Sequence, residues 1–303
     1  MSNILMTGGT GLVGTELVAH YLHQGNQVIV LTRSERTSEH PGLHYVNWQE
    51  NGWETAIPNI DVVINLAGAS LSERWTKEHK KAMLQSRIDT TERLYNFFQT
   101  EGYSPTVLFN ASAIGYYPPS KSAVYDESHV YEEPHDFLST IVHQWEAAAK
   151  KFEALGTRVV IGRFGVVFSE KGGALARIIL PYKLFAGGQL GDGKQWFSWI
   201  HLDDVTRATV HLIADKQAEG AYNITSPNPI RQRHLGKLIG RIMARPHYAP
   251  VPASLLRVLL GEQATIILDV QKVLPKRLDR AGFTFHYPTA LLALEDILAK
   301  EKA

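Results

Sequence analysis

Short runs of apolar residues alternate with longer stretches of mixed character through the first half of the chain. The runs Asn3–Met6, Gln27–Thr32, His44–Asn47, Asp61–Leu66, Thr106–Asn110 and Arg158–Gly162 are short, and most are rich in Val, Ile and Leu. That is the pattern of strands buried on both faces. Between them, Leu12–Gln24, Glu73–Thr100 and Asp136–Leu155 carry helical periodicity. Strands separated by helices pair in parallel, because each return crossing takes a helix's length, and the helices then cover both faces of the sheet. The expectation is an α/β fold, a Rossmann-type doubly wound parallel sheet. After about Gly165 the pattern changes. "EKGGALARIILPYKLFAGGQLGDGK" is glycine-rich and irregular, "AYNIT" reads as one more strand, and the tail from Arg231 is mostly helical. This predicts a sheet domain over residues 1–165, to which 202–226 return. A smaller, mainly helical substrate domain follows, built from 166–201 and 227–303, with the substrate cleft between the two. "YYPPSKSAVYDESHVYEEPHD" is polar and proline-broken and reads as a loop.

Composition narrows the function. The 303 residues are 44% hydrophobic and 20% charged, as in globular proteins with a sizeable core. A formal net charge of +1 gives no electrostatic case for nucleic acid or an anionic membrane. There is no cysteine, hence no disulfide, thiolate metal site or cysteine nucleophile. No apolar run approaches a membrane span and the N-terminus lacks the features of a signal peptide. These features predict a cytoplasmic protein, a monomer or homodimer, whose partner is a small-molecule substrate.

The chemistry begins at "ILMTGGTGLVG", between the first strand and the first helix. Gly8, Gly11 and Gly14 are three residues apart. One glycine permits the tight turn, another lets backbone approach a pyrophosphate, and the last lets helix pack on strand. The amides of Thr10, Leu12 and Val13 and the helix dipole then face the phosphates. The end of the second strand selects the cofactor. NAD sites usually place an acid there for the ribose 2′-hydroxyl, but "VIVLTRSER" has Thr32 followed by Arg33. An arginine suits a 2′-phosphate through forked, charge-assisted bonds. The expected cofactor is therefore NADP(H), with NAD(H) the lesser alternative through Glu35, and with a solvated surface charge as the plain reading of Arg33. "DVVINLAGASL" ends its strand at Leu66 in the small residues Ala67 and Gly68, which lets a nucleotide pass over the strand end.

These motifs, with "LFNASAIGYY", resemble the extended short-chain dehydrogenase/reductase superfamily. "LQSRIDTT", "GRFGVVFSEKGGAL", "PYKLFAGGQLGDGKQWFSWIHLDDV" and "QKVLPKRLDRAGFTFHYP" resemble, more narrowly, the NAD(P)-dependent epimerase/dehydratase-like family with a distinctive C-terminal domain. The likeness covers nearly the whole chain. It implies hydride chemistry on a hydroxyl- or carbonyl-bearing molecule, a nucleotide sugar being the family-level guess. It places Ser112 at the substrate oxygen, Arg87 beside a cofactor phosphate, and Arg163 near the nicotinamide or in the substrate cleft. It also implies a Tyr-x-x-x-Lys pair on a helix beyond the serine, where i and i+4 share one face.

"SAIGYYPPSK" contains that spacing at Tyr117 and Lys121, but Pro118 and Pro119 stand between them and forbid a continuous helix. The helix "DFLSTIVHQWEAAAKKFEALG" shows Phe137 or Leu138, then Ile141 or Val142, at the expected register. Tyr116 and Tyr117, close behind Ser112, are the candidate replacement phenols. The alternative is an NADP(H)-binding sensor or interaction protein without catalysis. Elsewhere, "QWFSWIHLDDV" reads either as a cleft wall with His201 as an acid or base, or as core aromatics with Asp203 capping the next helix. "HVYEEPHD" matches no metal motif, and no metal is expected.

Overall fold

The computed structural model of the chain describes residues 1–299. The apolar runs become strands and the mixed stretches helices: β1 (Asn3–Thr7), α1 (Leu12–His23), β2 (Gln27–Thr32), β3 (Leu43–Asn47), β4 (Val62–Asn65), α2 (Lys77–Glu101), β5 (Val107–Ala113), β6 (Val124–Tyr125), α3 (Phe137–Lys150) and β7 (Arg158–Phe164). The second half holds β8 (Val166–Phe168), α4 (Gly173–Lys183), β9 (Trp196–Phe197), β10 (Trp199–His201), α5 (Leu202–Ala214), β11 (Gly220–Ile224), β12 (Ile230–Arg231), α6 (Gln232–Ile242), α7 (Ala253–Leu260), α8 (Thr265–Leu268), β13 (Lys272–Val273), α9 (Lys276–Arg280) and α10 (Ala290–Ala299).

Seven strands form one parallel sheet in the order β11-β7-β5-β4-β1-β2-β3. The order reverses at β1, so the sheet is doubly wound. One face buries Met6 and Val30 against Leu17 of α1 and Val205 and Leu212 of α5. The other buries Leu5 and Ile29 against Leu94 and Phe98 of α2 and Phe152 beyond α3. Each such side chain stabilises the fold by about 1.5–3 kcal/mol on full burial. Strand β11, from "AYNIT", completes the edge beside β7. A separate core joins Ile179 of α4, Ile239 of α6 and Leu294 of α10. The expected α/β fold with a mainly helical C-terminal part is therefore the observed one.

Two local readings are corrected. The "irregular" glycine-rich segment contains the eleven-residue helix α4. Its glycines, Gly172 and Gly173, sit at the helix start with φ of 150° and 80°, where they shape the entry rather than interrupt the helix. The cap of α5 is His201, whose Nδ1 accepts from the Asp203 amide at 3.1 Å. Asp203 instead lies in the first turn.

Candidate active site

The sheet ends its strands under a cavity of about 430 Å³. Such folds place ligands at the carboxyl ends of their strands, where the order reverses. The glycine loop forms one side of the cavity through Gly8, Gly11, Leu12, Val13 and Gly14. Gly8 has φ of +67°, and a Cβ there would stand 2.8 Å from the Leu66 carbonyl. A Cβ on Gly14 would come within 2.2 Å of the Gly8 oxygen. Gly11 caps α1 without a side-chain partner, and the first turn carries no acid. The helix thus presents open amides and an uncompensated positive dipole end, the donor set that a pyrophosphate needs. Thr10 is exposed at the loop's tip.

Thr32 closes β2, with its hydroxyl donating to Ser34 O at 2.7 Å. Arg33, next in the chain, is exposed. Leu66 lines the cavity, and Ala67 and Gly68 continue the turn. Gly68 is needed for Arg87: a Cβ there would meet the guanidinium at 2.6 Å. Arg87, on α2, lines the same wall, donates to Met83 O at 2.8 Å and Ala69 O at 3.3 Å, and lies over the Trp145 ring at 5.2 Å. Burial lowers its pKa to about 10.

Ser112 stands on the cavity wall near the end of β5. Its pairing register makes it the direct neighbour of Arg163 on β7, so both side chains point to the same face. There they meet Glu146 of α3. Ser112 Oγ donates to Glu146 Oε1 at 2.6 Å. Arg163 grips both carboxylate oxygens, Nε to Oε1 and Nη2 to Oε2, each at 2.8 Å. Its remaining fork donates to Tyr117 Oη at 3.1 Å, and Tyr117 donates to Asn223 Oδ1 at 2.9 Å. Ser112, Glu146 and Arg163 are each 5% exposed or less. Burial opposes the Arg163 charge, but its hydrogen bond to Glu146 and the carboxylate's charge outweigh that and hold the guanidinium above its ordinary pKa. Burial pushes the Tyr117 phenol up to about 12, against the lowering effect of Arg163.

This geometry revises three expectations. Arg163 lies behind the wall, spent on Glu146 and Tyr117, and does not line the cavity. Tyr116 is likewise absent from the wall: its hydroxyl exchanges hydrogen bonds with the backbone of Tyr131, and the Arg163 guanidinium covers its ring at 3.3 Å. Tyr117 does line the cavity, but its hydroxyl is turned into the buried network. The Tyr117–Lys121 spacing joins nothing, since Lys121 is exposed and pairs with Asp192 at 2.6 Å. Helix α3 presents Leu138, Ile141, Val142 and Trp145 to the cavity.

Glu146 escaped the sequence reading. Its signal was a lone carboxylate inside the apolar stripe Ile141, Val142, Trp145, Ala149, and a buried acid in such a stripe demands a buried cation. The roof was also unforeseen. Thr265, Ile266, Asp269, Val270 and Gln271 close the cavity from the C-terminal segment. Lys80 of α2 anchors that segment through Glu262 at 2.8 Å. The aromatics of "QWFSWIH" stay out of the cavity: Trp199 is wholly buried against Phe168, and Trp196 lies between Arg231 and Lys272. His201 faces a second, polar cavity with Asp203 and Asp296. Asp203 also gathers with Asp204 and His286, their ligand atoms within 4.8 Å of one another. Asp204 is spent on Arg207 and on the amides of His286 and Tyr287.

A glycine-rich strand–helix loop, a polar couple at the end of β5 and a C-terminal roof define a fold of the dinucleotide-binding type, and comparison places it. Residues 4–225 match the model of the NAD dependent epimerase/dehydratase family, and 251–297 match a domain of unknown function. The chain belongs to that epimerase/dehydratase family. It is 49% identical over 299 residues to an epimerase family protein of Staphylococcus epidermidis, covering 98% of this chain and 99% of that one. The crystal structure of the human epimerase family protein SDR39U1 with NADPH superposes with a TM-score of 0.86 at 30% identity, over 98% of this chain and 99% of that one. A nucleoside-diphosphate sugar epimerase from Corynebacterium glutamicum gives 0.78 at 29% identity, over 99% of this chain and 58% of the other.

Proposed function

We propose that the protein is an NADP(H)-dependent oxidoreductase or epimerase-like enzyme acting on a small hydroxyl- or carbonyl-bearing molecule. The observation that carries this reading is the couple of Ser112 and Glu146. Its hydrogen is committed to the carboxylate at 2.6 Å, so Ser112 Oγ turns its lone pairs toward the cavity. There it is an acceptor for a substrate hydroxyl. In the oxidative direction the substrate O–H proton passes to Ser112 Oγ as the serine's own proton passes to Glu146 Oε1. In the reductive direction both protons return. Arg163 keeps the receiving carboxylate oriented between transfers. This relay takes the place of the Tyr-x-x-x-Lys pair that α3 lacks.

The bound dinucleotide supplies or accepts the hydride. The amides around Gly11 to Gly14 hold its pyrophosphate, Arg87 flanks that wall, and Arg33 faces its ribose phosphate. The NADPH in the human relative is consistent with this preference. The apolar walls and the C-terminal roof exclude water from the reacting atoms.

The test is Ser112→Ala. NADPH binding, followed by the fluorescence of the reduced nicotinamide, should stay within twofold of wild type. Turnover should fall by roughly 10²–10⁴, the usual weight of general acid–base assistance. Undiminished turnover in the variant refutes the relay. Tight NADPH binding with no hydride transfer to any fraction of a metabolite extract favours the second reading, a cofactor-binding sensor.

A further inference from the structure

The cavity is poor in cationic side chains. Among the described residues its wall carries one arginine, Arg87, and no lysine. Arg87 packs on Gly68, at the turn over which a dinucleotide passes. Two carboxylates, Asp136 and Asp269, also line the cavity. Two cations outside the wall are engaged: Lys121, close in sequence to the wall's Pro119, pairs with Asp192 at 2.6 Å, and Arg257 pairs with the wall's Asp269 at 3.9 Å. A diphosphate entering here meets two carboxylates, with Arg87 the one arginine on the described wall and His135 set beside Asp136 at 3.6 Å.

Apart from His135 and the two carboxylates, the polar side chains on the wall make bonds within the protein. Ser112 donates to Glu146, and Thr265 donates to Glu262 O at 2.8 Å. The Gln271 amide donates to the carbonyls of Ile114 and Tyr117. The Tyr117 hydroxyl is turned to Asn223. The wall that carries Ser112 is otherwise largely apolar, with Leu138, Val142, Trp145 and Ile266 among its lining residues. Each ligand hydroxyl buried here without a partner costs about 1–3 kcal/mol. A hexose has several such groups, and an apolar body has none.

We infer that the site takes an uncharged ligand with an apolar body and a single reacting oxygen, a ketone, aldehyde or secondary alcohol, and not a nucleoside diphosphate sugar. This rests on the hydride-transfer reading above for the role of that oxygen, and on the cavity wall alone for the rest.

The experiment uses the full chain saturated with NADPH, with occupancy checked by nicotinamide fluorescence. Menthone, decanal and UDP-glucose are each titrated calorimetrically. The expected result is saturable binding of menthone or decanal and no heat from UDP-glucose. Ile266→Asp, on the half-buried roof, should weaken the carbonyl ligand by roughly tenfold or more by placing a carboxylate against its body. Should that variant unfold, Ile266→Asn provides the same contrast without charge. UDP-glucose binding more tightly than both apolar ligands overturns the inference, as does neither apolar ligand binding to the loaded protein. If NADPH itself fails to bind, the cofactor reading falls first. If the ligands bind as expected and NADPH is not oxidised, the ligand class stands and hydride transfer falls.

Discussion

Arg33 stands exposed directly after β2, where an acid would hold a ribose 2′-hydroxyl, and Thr32 beside it is closed onto Ser34. Arg33→Ala should weaken NADPH binding by about 1.5–3 kcal/mol, the range for a hydrogen bond to a charged group, and leave NADH nearly unchanged. Parallel fluorescence titrations check this, and equal weakening of both cofactors contradicts it. Glu146 makes a second prediction. Glu146→Leu strands the buried Arg163 charge, so chemical denaturation should show a loss of about 3–5 kcal/mol. Both residues show where the sequence was legible. Arg33 is read from its place after an apolar strand, because local order alone puts it there. The couple of Ser112, Glu146 and Arg163 joins three elements. Only the β5–β7 register and the rotation of α3 bring it together, so local sequence shows the place of Arg163 in its strand but not its partner.

At the scale of elements, α3 is the most informative. Asp136 caps it, with Oδ1 accepting from the Ser139 amide at 2.7 Å and the Ser139 hydroxyl returning to the Asp136 amide at 2.8 Å. Asp136→Ala should cost about 1 kcal/mol, read as a lower denaturation midpoint with an unchanged denaturant slope. Because the cap also borders the cavity, the variant reports on how firmly the Leu138 wall is held. The strands and first-half helices were legible because each carries its own period. Helix α4 was hidden by the glycines at its start. The roof was hidden because α8, four residues long, is too short to show a period of its own, and the turn before it is tied to α2 by the distant pair of Lys80 and Glu262.

The whole molecule joins a doubly wound sheet to a C-terminal segment that covers its cleft, and its stability should depend on pH through two partly buried histidines. Burial lowers the pKa of both His20 and His247, with His23 and Lys237 respectively adding to the effect. Above their ordinary value of 6.5 the folded and unfolded chains are both neutral at these sites. As pH falls through that value, the unfolded chain takes up protons that the folded chain resists, so stability declines. The melting temperature should drop across this window, and a His20→Gln, His247→Gln double variant should show a shallower drop. An unchanged slope excludes these two groups as the source.

Hydride transfer is tested most directly by following the hydride. The protein is loaded with NADPH deuterated at the transferring position, mixed with a metabolite extract and with menthone, and the products are examined by mass spectrometry. The account predicts a product that carries the deuterium on its carbinol carbon, with the label nearly lost in Ser112→Ala. Bound, undepleted NADPH with no labelled product from any fraction contradicts it.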